Sequence, residues 1–423
     1  MTMAAPSSAE ASTRGRTAYF LLVMLLVSTL NMADRQIIGV IAEPIKHEFG
    51  LSDTMIGLLG GTAFALVYPP LGLPIARLAD RFNRRNILAI CLAIWSAMAS
   101  LCGLATGFWT LLLARAGVAA GEAGYAPCTH SLIADSVPAR NRGTAFAVLV
   151  TGISLGAFVA SALGGYVAQH HGWRWAFAAI GLPGIVVALL VRLTIKEPPR
   201  TAPPRAETAW SVYRGLLGNR AFTWCIAGSA LHLVVTYGLG AWAIPWFVRG
   251  HGLSIAQAGL LLGMIGLVAG ALGSLAGGAI GDRLARRDRR WLGWWPAITV
   301  LIAAAIGAPA YLTGDYELAL AGAALATFLN FLYQPSTYAL VQGVAHPGER
   351  ASAAALMIFV QNLVGLGLGP LLIGMISDGL APELGTRALG VAIAGIFIFN
   401  ILAGFAYWRA ASALGADPAR AEQ

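Results

Sequence analysis

The chain has 423 residues, of which 57% are hydrophobic and only 11% charged, with a mean hydropathy of +0.70 and a formal net charge of +9. That composition excludes a soluble domain, in which about a quarter of the residues are charged. The positive charge is split among short segments flanking apolar stretches, which excludes a nucleic-acid-binding face.

A polar tail, residues 1–17, precedes the first apolar stretch, which is too long for the core of a signal peptide and is expected to be retained. About 12 stretches follow, each long enough to cross a hydrocarbon layer of ~30 Å. The first six are expected near 18–41, 55–76, 86–104, 108–131, 144–168 and 175–193. The second six fall near 221–247, 254–279, 294–312, 317–343, 352–376 and 388–408, before a C-terminal tail, 409–423. The fold class is therefore an all-α polytopic membrane protein, 12 transmembrane helices in two pseudo-symmetric bundles, 18–193 and 221–408.

Between the bundles, residues 194–220 form the longest polar stretch. Pro198, Pro199, Pro203 and Pro204 keep it extended, and TAWSVYRGLL has the pattern of a short interfacial helix. About 22 of the 28 Lys and Arg lie in the termini and even-numbered loops, which places both termini and the linker in the cytoplasm. No N-x-S/T sequon occurs, consistent with a bacterial inner membrane. Cys91, Cys102, Cys128 and Cys225 show no metal-ligand spacing and read as small core residues. Gly152 and Gly156, and the run Gly367, Gly369, Pro370, allow either close helix packing or bending.

The two bundles carry a direct repeat. Gly50-Leu51-Ser52 aligns with Gly252-Leu253-Ser254, and ARLADRFNRR (76–85) with GAIGDRLARR (278–287). Pro127 then matches Pro335 and Arg142 matches Arg350. In the matching cytoplasmic loops Asp80-Arg81 precedes Arg84-Arg85, and Asp282-Arg283 precedes Arg286-Arg287. Topology alone explains the arginines but not an acid in both copies, so these residues and Arg142 are candidates for a gate that breaks when the halves separate.

Four ionisable residues fall inside spans: Asp34 and Arg35 in the first, Arg115 and Glu122 in the fourth. Each costs roughly 2.5 to 3.5 kcal/mol at the bilayer centre if uncompensated, so they must meet partners or a wet cavity. Asn31, Asp34 and Arg35 share one helix face, extended by Ser28. Arg115 and Glu122 lie about 10.5 Å apart along theirs, nearly aligned. Two acids and two bases cancel. They form either static ion pairs or a site whose carboxyls carry protons, Glu122 first, because Arg115 is two turns away, and Asp34 second, with Arg35 beside it.

The second half is polar but uncharged. Asn330 aligns with Glu122 and is followed by Tyr333, Gln334, Thr337 and Tyr338. The seventh span adds His232, Thr236, Tyr237, Trp242 and Trp246, His232 fitting a core histidine better than a relay. An ionisable wall facing a neutral aromatic one suits an amphipathic substrate. A channel would need continuous polarity in both halves, and an intramembrane enzyme a nucleophile or metal cluster, neither of which is present.

The paired loops resemble the signature of the major facilitator superfamily, with Ala76 and Asn83 departing from it in the first copy. NMADRQ (31–36) and GEAGYAPCTHSLIADSVPARNRG (121–143) resemble the spinster-type transporters within it. The resemblance implies alternating access by rocking of the halves, coupling to protons with no cofactor, and a lysolipid or sphingolipid-like substrate. It assigns coupling and substrate roles to Asp34, Arg35, Arg115 and Glu122, and the cytoplasmic gate to Asp80, Arg84 and Arg142. Gly156-Ala157 stands where drug antiporters have a Gly-Pro pair. An organic-anion symporter, with Arg35 and Arg115 binding a carboxylate or phosphate, and a drug exporter remain alternatives. A single chain holding both halves is expected to work as a monomer, its partners being protons, the substrate and the bilayer.

Overall fold

The computed structural model describes residues 8–138, 141–199, 209–346 and 349–415, and every regular element among them is a helix. Twelve crossings follow in order. In the first half these are α1 (Ser8–Val40), α2 (Asp53–Arg81), α3 (Arg84–Cys102), α4 (108–136), α5 (Arg142–His171) and α6 (Trp173–Thr194). The second half holds α7 (Arg220–His251), α8 (Ile255–Ala285), α9 (Trp291–Ala310), α10 (Tyr316–Val344), α11 (350–384) and α12 (388–415). A short helix, Ala42–Phe49, lies between α1 and α2, and Ala209–Gly218 precedes α7 where the amphipathic pattern predicts it.

The repeated Gly-Leu-Ser has a local cause. Gly50 and Gly252 end their helices in the left-handed region, with φ of 62° and 66°, which a side chain would strain. Ser52 and Ser254 then cap the next helices, accepting from the backbone N–H of Met55 and Gln257. The repeated proline also acts locally. Two predicted continuous spans are broken instead, α4 between Glu122 and Tyr125 and α10 at Tyr333. Pro127 and Pro335 cannot donate to the carbonyl four residues back and crowd it, so each helix restarts just before its proline.

Within the first half, α1 packs on α5 and α3 on α6; within the second, α12 packs on α7 and α9, and α8 on α10. The halves meet along α2 with α11, α5 with α8, and α1 with α7. These contacts gather at the end opposite the Arg-rich loops. There α1 and α7 approach so closely that a Cβ on Gly39 would lie 2.7 Å from the Gly240 carbonyl oxygen. Gln36 Nε2 donates to that carbonyl at 3.0 Å, and the Ile255 N–H to Gln169 Oε1 at 3.3 Å.

An ionic knot closes this outer end. Arg249 of α7 donates to both oxygens of Asp53 at 2.8 Å and to Glu43 at 2.7 Å, and Lys46 also pairs with Asp53. From α11, Ser377 donates to Asp53 at 2.7 Å, while Asp378 accepts from the backbone N–H groups of Asp53 and Thr54 at 2.9 and 2.7 Å. An acid on one half thus caps a helix N-terminus on the other. This sealed outer end lies opposite the Arg-rich loops, and the cleft opens toward them. Arg249→Ala leaves Asp53 and Glu43 without their main cation, and a broken buried pair costs about 3–5 kcal/mol. Electron–electron distances between labels across the outer mouth should lengthen in this variant; an unchanged distribution would mean that helix packing alone holds the seal.

Candidate functional site

The four intramembrane charges pair crosswise. Arg35 donates through Nε to Glu122 Oε2 at 2.7 Å, and Arg115 Nη1 lies 3.3 Å from Asp34 Oδ2 and 3.1 Å from the Asp34 carbonyl. Each arginine therefore neutralises the acid of the other helix. Adjacent side chains diverge by about 100° on a helix, which carries Arg35 away from Asp34. Asn31 Nδ2 donates to the same Glu122 oxygen at 2.8 Å.

Burial is nearly complete, with Glu122 at 0%, Arg115 at 1%, Asp34 at 2% and Asn31 at 5% exposure. Arg35 alone reaches the cleft, its side chain 15% exposed. Phe64 and Tyr68 of α2 flank its guanidinium, both rings centred 4.5 Å away. Asp34 Oδ1, Arg115 Nε and Glu122 Oε1 are buried without a hydrogen-bond partner, and the carboxyls of Asp34 and Glu122 lie close enough to interact directly. Below them Tyr125 donates to Ser28 at 2.7 Å and Ser28 to the Leu149 carbonyl at 2.7 Å, fastening α1, α4 and α5.

The second half departs from the sequence expectations. Trp242, expected at the substrate, is fully buried in the outer seal: its Nε1 donates to the Pro370 carbonyl at 2.8 Å and its ring lies 5.6 Å from the Arg249 guanidinium carbon. Asn330 belongs to the interior of the second bundle, as does His232, which takes the core role its sequence favours over a relay. The His232 ring nitrogens lie 2.8 Å from Asn400 Oδ1 and 3.1 Å from the Asn330 carbonyl, and the Tyr333 ring sits tilted beside the imidazole, centroids 4.2 Å apart. Spacing on α10 alone could not show that Asn400 of α12 would absorb them. Gln334 remains half-buried on α10. Facing Arg35 instead is Tyr237, within electrostatic reach of both Arg35 and Tyr68.

At the Arg-rich end the residues expected to form a cytoplasmic gate do not join the halves. Arg84 donates to Glu197 and Ser131 at 2.8 Å and to the Pro198 carbonyl at 3.0 Å, and pairs with Asp135. Arg85 donates through its backbone to Glu197 at 2.9 Å. They clamp α3, α4 and the end of α6 within one half. Asp80, Arg81, Asp282, Arg283 and Arg286 are exposed, and Arg142 donates to the Val137 carbonyl beside it at 3.3 Å. With the cleft open on this side, the two loops have nothing to lock against. The charges that do join the halves, Glu43, Asp53, Arg249 and Asp378, escaped the sequence reading. The available signal was the scarcity of cations in outer loops, where Lys46 and Arg249 stand among a handful.

Two six-helix halves around a cleft that opens to one side, with compensated charges at mid-membrane, define a secondary transporter. The chain matches the Major Facilitator Superfamily model over residues 24–370 and belongs to that superfamily, within its spinster-type group. It is 34% identical to an MFS-type efflux pump of Mycolicibacterium smegmatis, over 92% of this chain and 91% of that protein. A bacterial homologue of the human lysosomal transporter spinster, solved in an inward-facing, unoccupied conformation, superposes with a TM-score of 0.85 at 30% identity, covering 95% and 99% of the two chains. A sphingosine-1-phosphate transporter of Danio rerio is 26% identical over 86% of this chain and 76% of its own.

The crossed pairing makes a thermodynamic prediction. Arg115→Leu strands the Asp34 carboxylate and should lower the melting temperature of the detergent-solubilised protein well beyond the effect of Asp34→Asn with Arg115→Leu together, the single variant costing about 3–5 kcal/mol. Additive losses in that cycle would show that the two groups do not depend on each other.

Proposed function

We propose that this transporter moves an amphipathic organic solute, a lysolipid or sphingolipid-like molecule, by alternating access driven by protons, with Glu122 and Asp34 as the proton-carrying carboxyls. The observation that carries this reading is the Arg35–Glu122 pair at the buried end of an open cleft, with an unpartnered carboxyl oxygen on Glu122 and on Asp34. Each spare oxygen is a place for a proton, and taking one on either acid frees its arginine. A proton on Glu122 cancels its hold on Arg35, whose guanidinium can then take an anionic head group from the cleft. It also makes the closed, dry cavity affordable, since a neutral acid is far easier to bury than a carboxylate. Arg115 keeps the partner acid compensated meanwhile.

The names of the relatives supply the rest of the proposal. One is a sphingosine-1-phosphate transporter, which favours a lipid with a charged head. Another is an efflux pump, which favours export and keeps a drug exporter as the second reading. A bacterial inner membrane, cytoplasmic termini, a functional monomer and no cofactor beyond the proton gradient complete it.

In proteoliposomes with an imposed pH gradient, Glu122→Gln should remove the proton-driven component of fluorescent lysolipid movement, at least ten-fold, while leaving binding measurable. Undiminished proton-driven flux would end this assignment of Glu122. Asp34→Asn should likewise blunt the response to the gradient, and an unchanged response would reduce Asp34 to a partner for Arg115. Uptake of cationic dyes in place of lysolipids would select the drug-exporter reading.

A further inference from the structure

The second half contributes a wall to this cleft that the internal repeat does not reveal. Helix α11 is α-helical to Val360, changes to a π turn over Gln361–Leu366 and resumes as α from Gly367. Its cause lies in the chain: Pro370 cannot donate to the Leu366 carbonyl four residues back and crowds it, so the helix widens there. The displaced backbone is caught from the other half, where Thr62 Oγ1 donates to the Gly367 carbonyl at 2.7 Å.

The widened turn carries two consecutive amides, Gln361 and Asn362, 7% and 6% exposed. Asn362 is held in place, donating to the Ile358 carbonyl at 2.9 Å and accepting from Tyr237 Oη at 3.1 Å. The Gln361 amide makes no hydrogen bond to another described residue. Tyr237, bonded to Asn362, also lies within electrostatic reach of Arg35. The polar atoms of Gln361 are not sealed away from solvent, so they stay open to a ligand group entering the cleft.

We infer that Gln361 and Asn362, oriented by Tyr237, form an uncharged hydrogen-bonding subsite opposite Arg35 that recognises a hydroxyl or amide on the head of the transported amphiphile. An amide offers both a donor and an acceptor, which a hydroxyl or amide satisfies and a bare phosphate or ammonium does not. The subsite rests on the amphiphile reading and sharpens it: the charged end of the head goes to Arg35 and its neutral neighbour to α11. A hydroxyl-bearing head and an otherwise equal head without it are therefore distinguished by this wall alone.

The test compares two probes of equal chain length, lysophosphatidic acid, with a glycerol hydroxyl beside its phosphate, and an alkyl phosphate, without one. Binding is measured by intrinsic tryptophan fluorescence on the full-length protein in nanodiscs. The native protein should bind lysophosphatidic acid at least ten-fold more tightly, and Gln361→Met should erase that difference while leaving alkyl phosphate binding intact. Tyr237→Phe, which removes a single hydroxyl and keeps the fold, should reduce the difference part of the way. Equal binding of both probes by the native protein, or discrimination that survives both variants, overturns the subsite while leaving the amphiphile reading in place. Failure of the native protein to bind either probe overturns both.

Discussion

Hydrocarbon cannot solvate a charge, and this chain carries two acids and two guanidiniums into it. Everything at mid-membrane follows from their mutual compensation. Because neighbouring residues on α1 point about 100° apart, Asp34 and Arg35 cannot satisfy one another, and each takes its counterion from α4. The crossed pairs bind α1 to α4 and leave the four-charge cluster neutral as a unit. Of the four, only Arg35 keeps contact with the cleft.

The ionic contacts nearer the two membrane faces divide by task. Those around Arg84 lie within the first half and tie α3, α4 and α6 together. Those around Arg249 and Asp378 join one half to the other at the outer end. Rocking the halves has to break the second group and can preserve the first. The outer knot sits on an apolar cluster that runs from the first half into the second, while a smaller apolar cluster lies wholly within the second bundle.

Much of the architecture was legible in sequence because it is local. Apolar run length sets the crossings, Gly50 and Gly252 stop helices, and Ser52 and Ser254 start them. The polar stripe Asn31, Asp34, Arg35 was legible for the same reason, since helical spacing fixes which residues share a face. What misled was the assumption that polar residues on an inner helix face the cleft. Asn330 finds its partner in Asn400, 70 residues away in sequence, and Trp242 finds its acceptor in the Pro370 carbonyl. A prediction confined to single helices has no access to such partners. The wall formed at Gln361 and Asn362 was hidden for a different reason: a π turn shifts the register, so residues assigned by regular spacing land on the wrong face.

The sequence by itself determined that this is a membrane transporter of two repeated halves, and which four charges its interior must compensate, because transfer energy and helical periodicity act over short stretches of chain. Only the tertiary structure decided which acid meets which arginine, which end of the cleft is sealed, and which residues of the second half face it. Those outcomes depend on how separate helices are placed against one another, and long-range packing, unlike local propensity, leaves no pattern in any one of them.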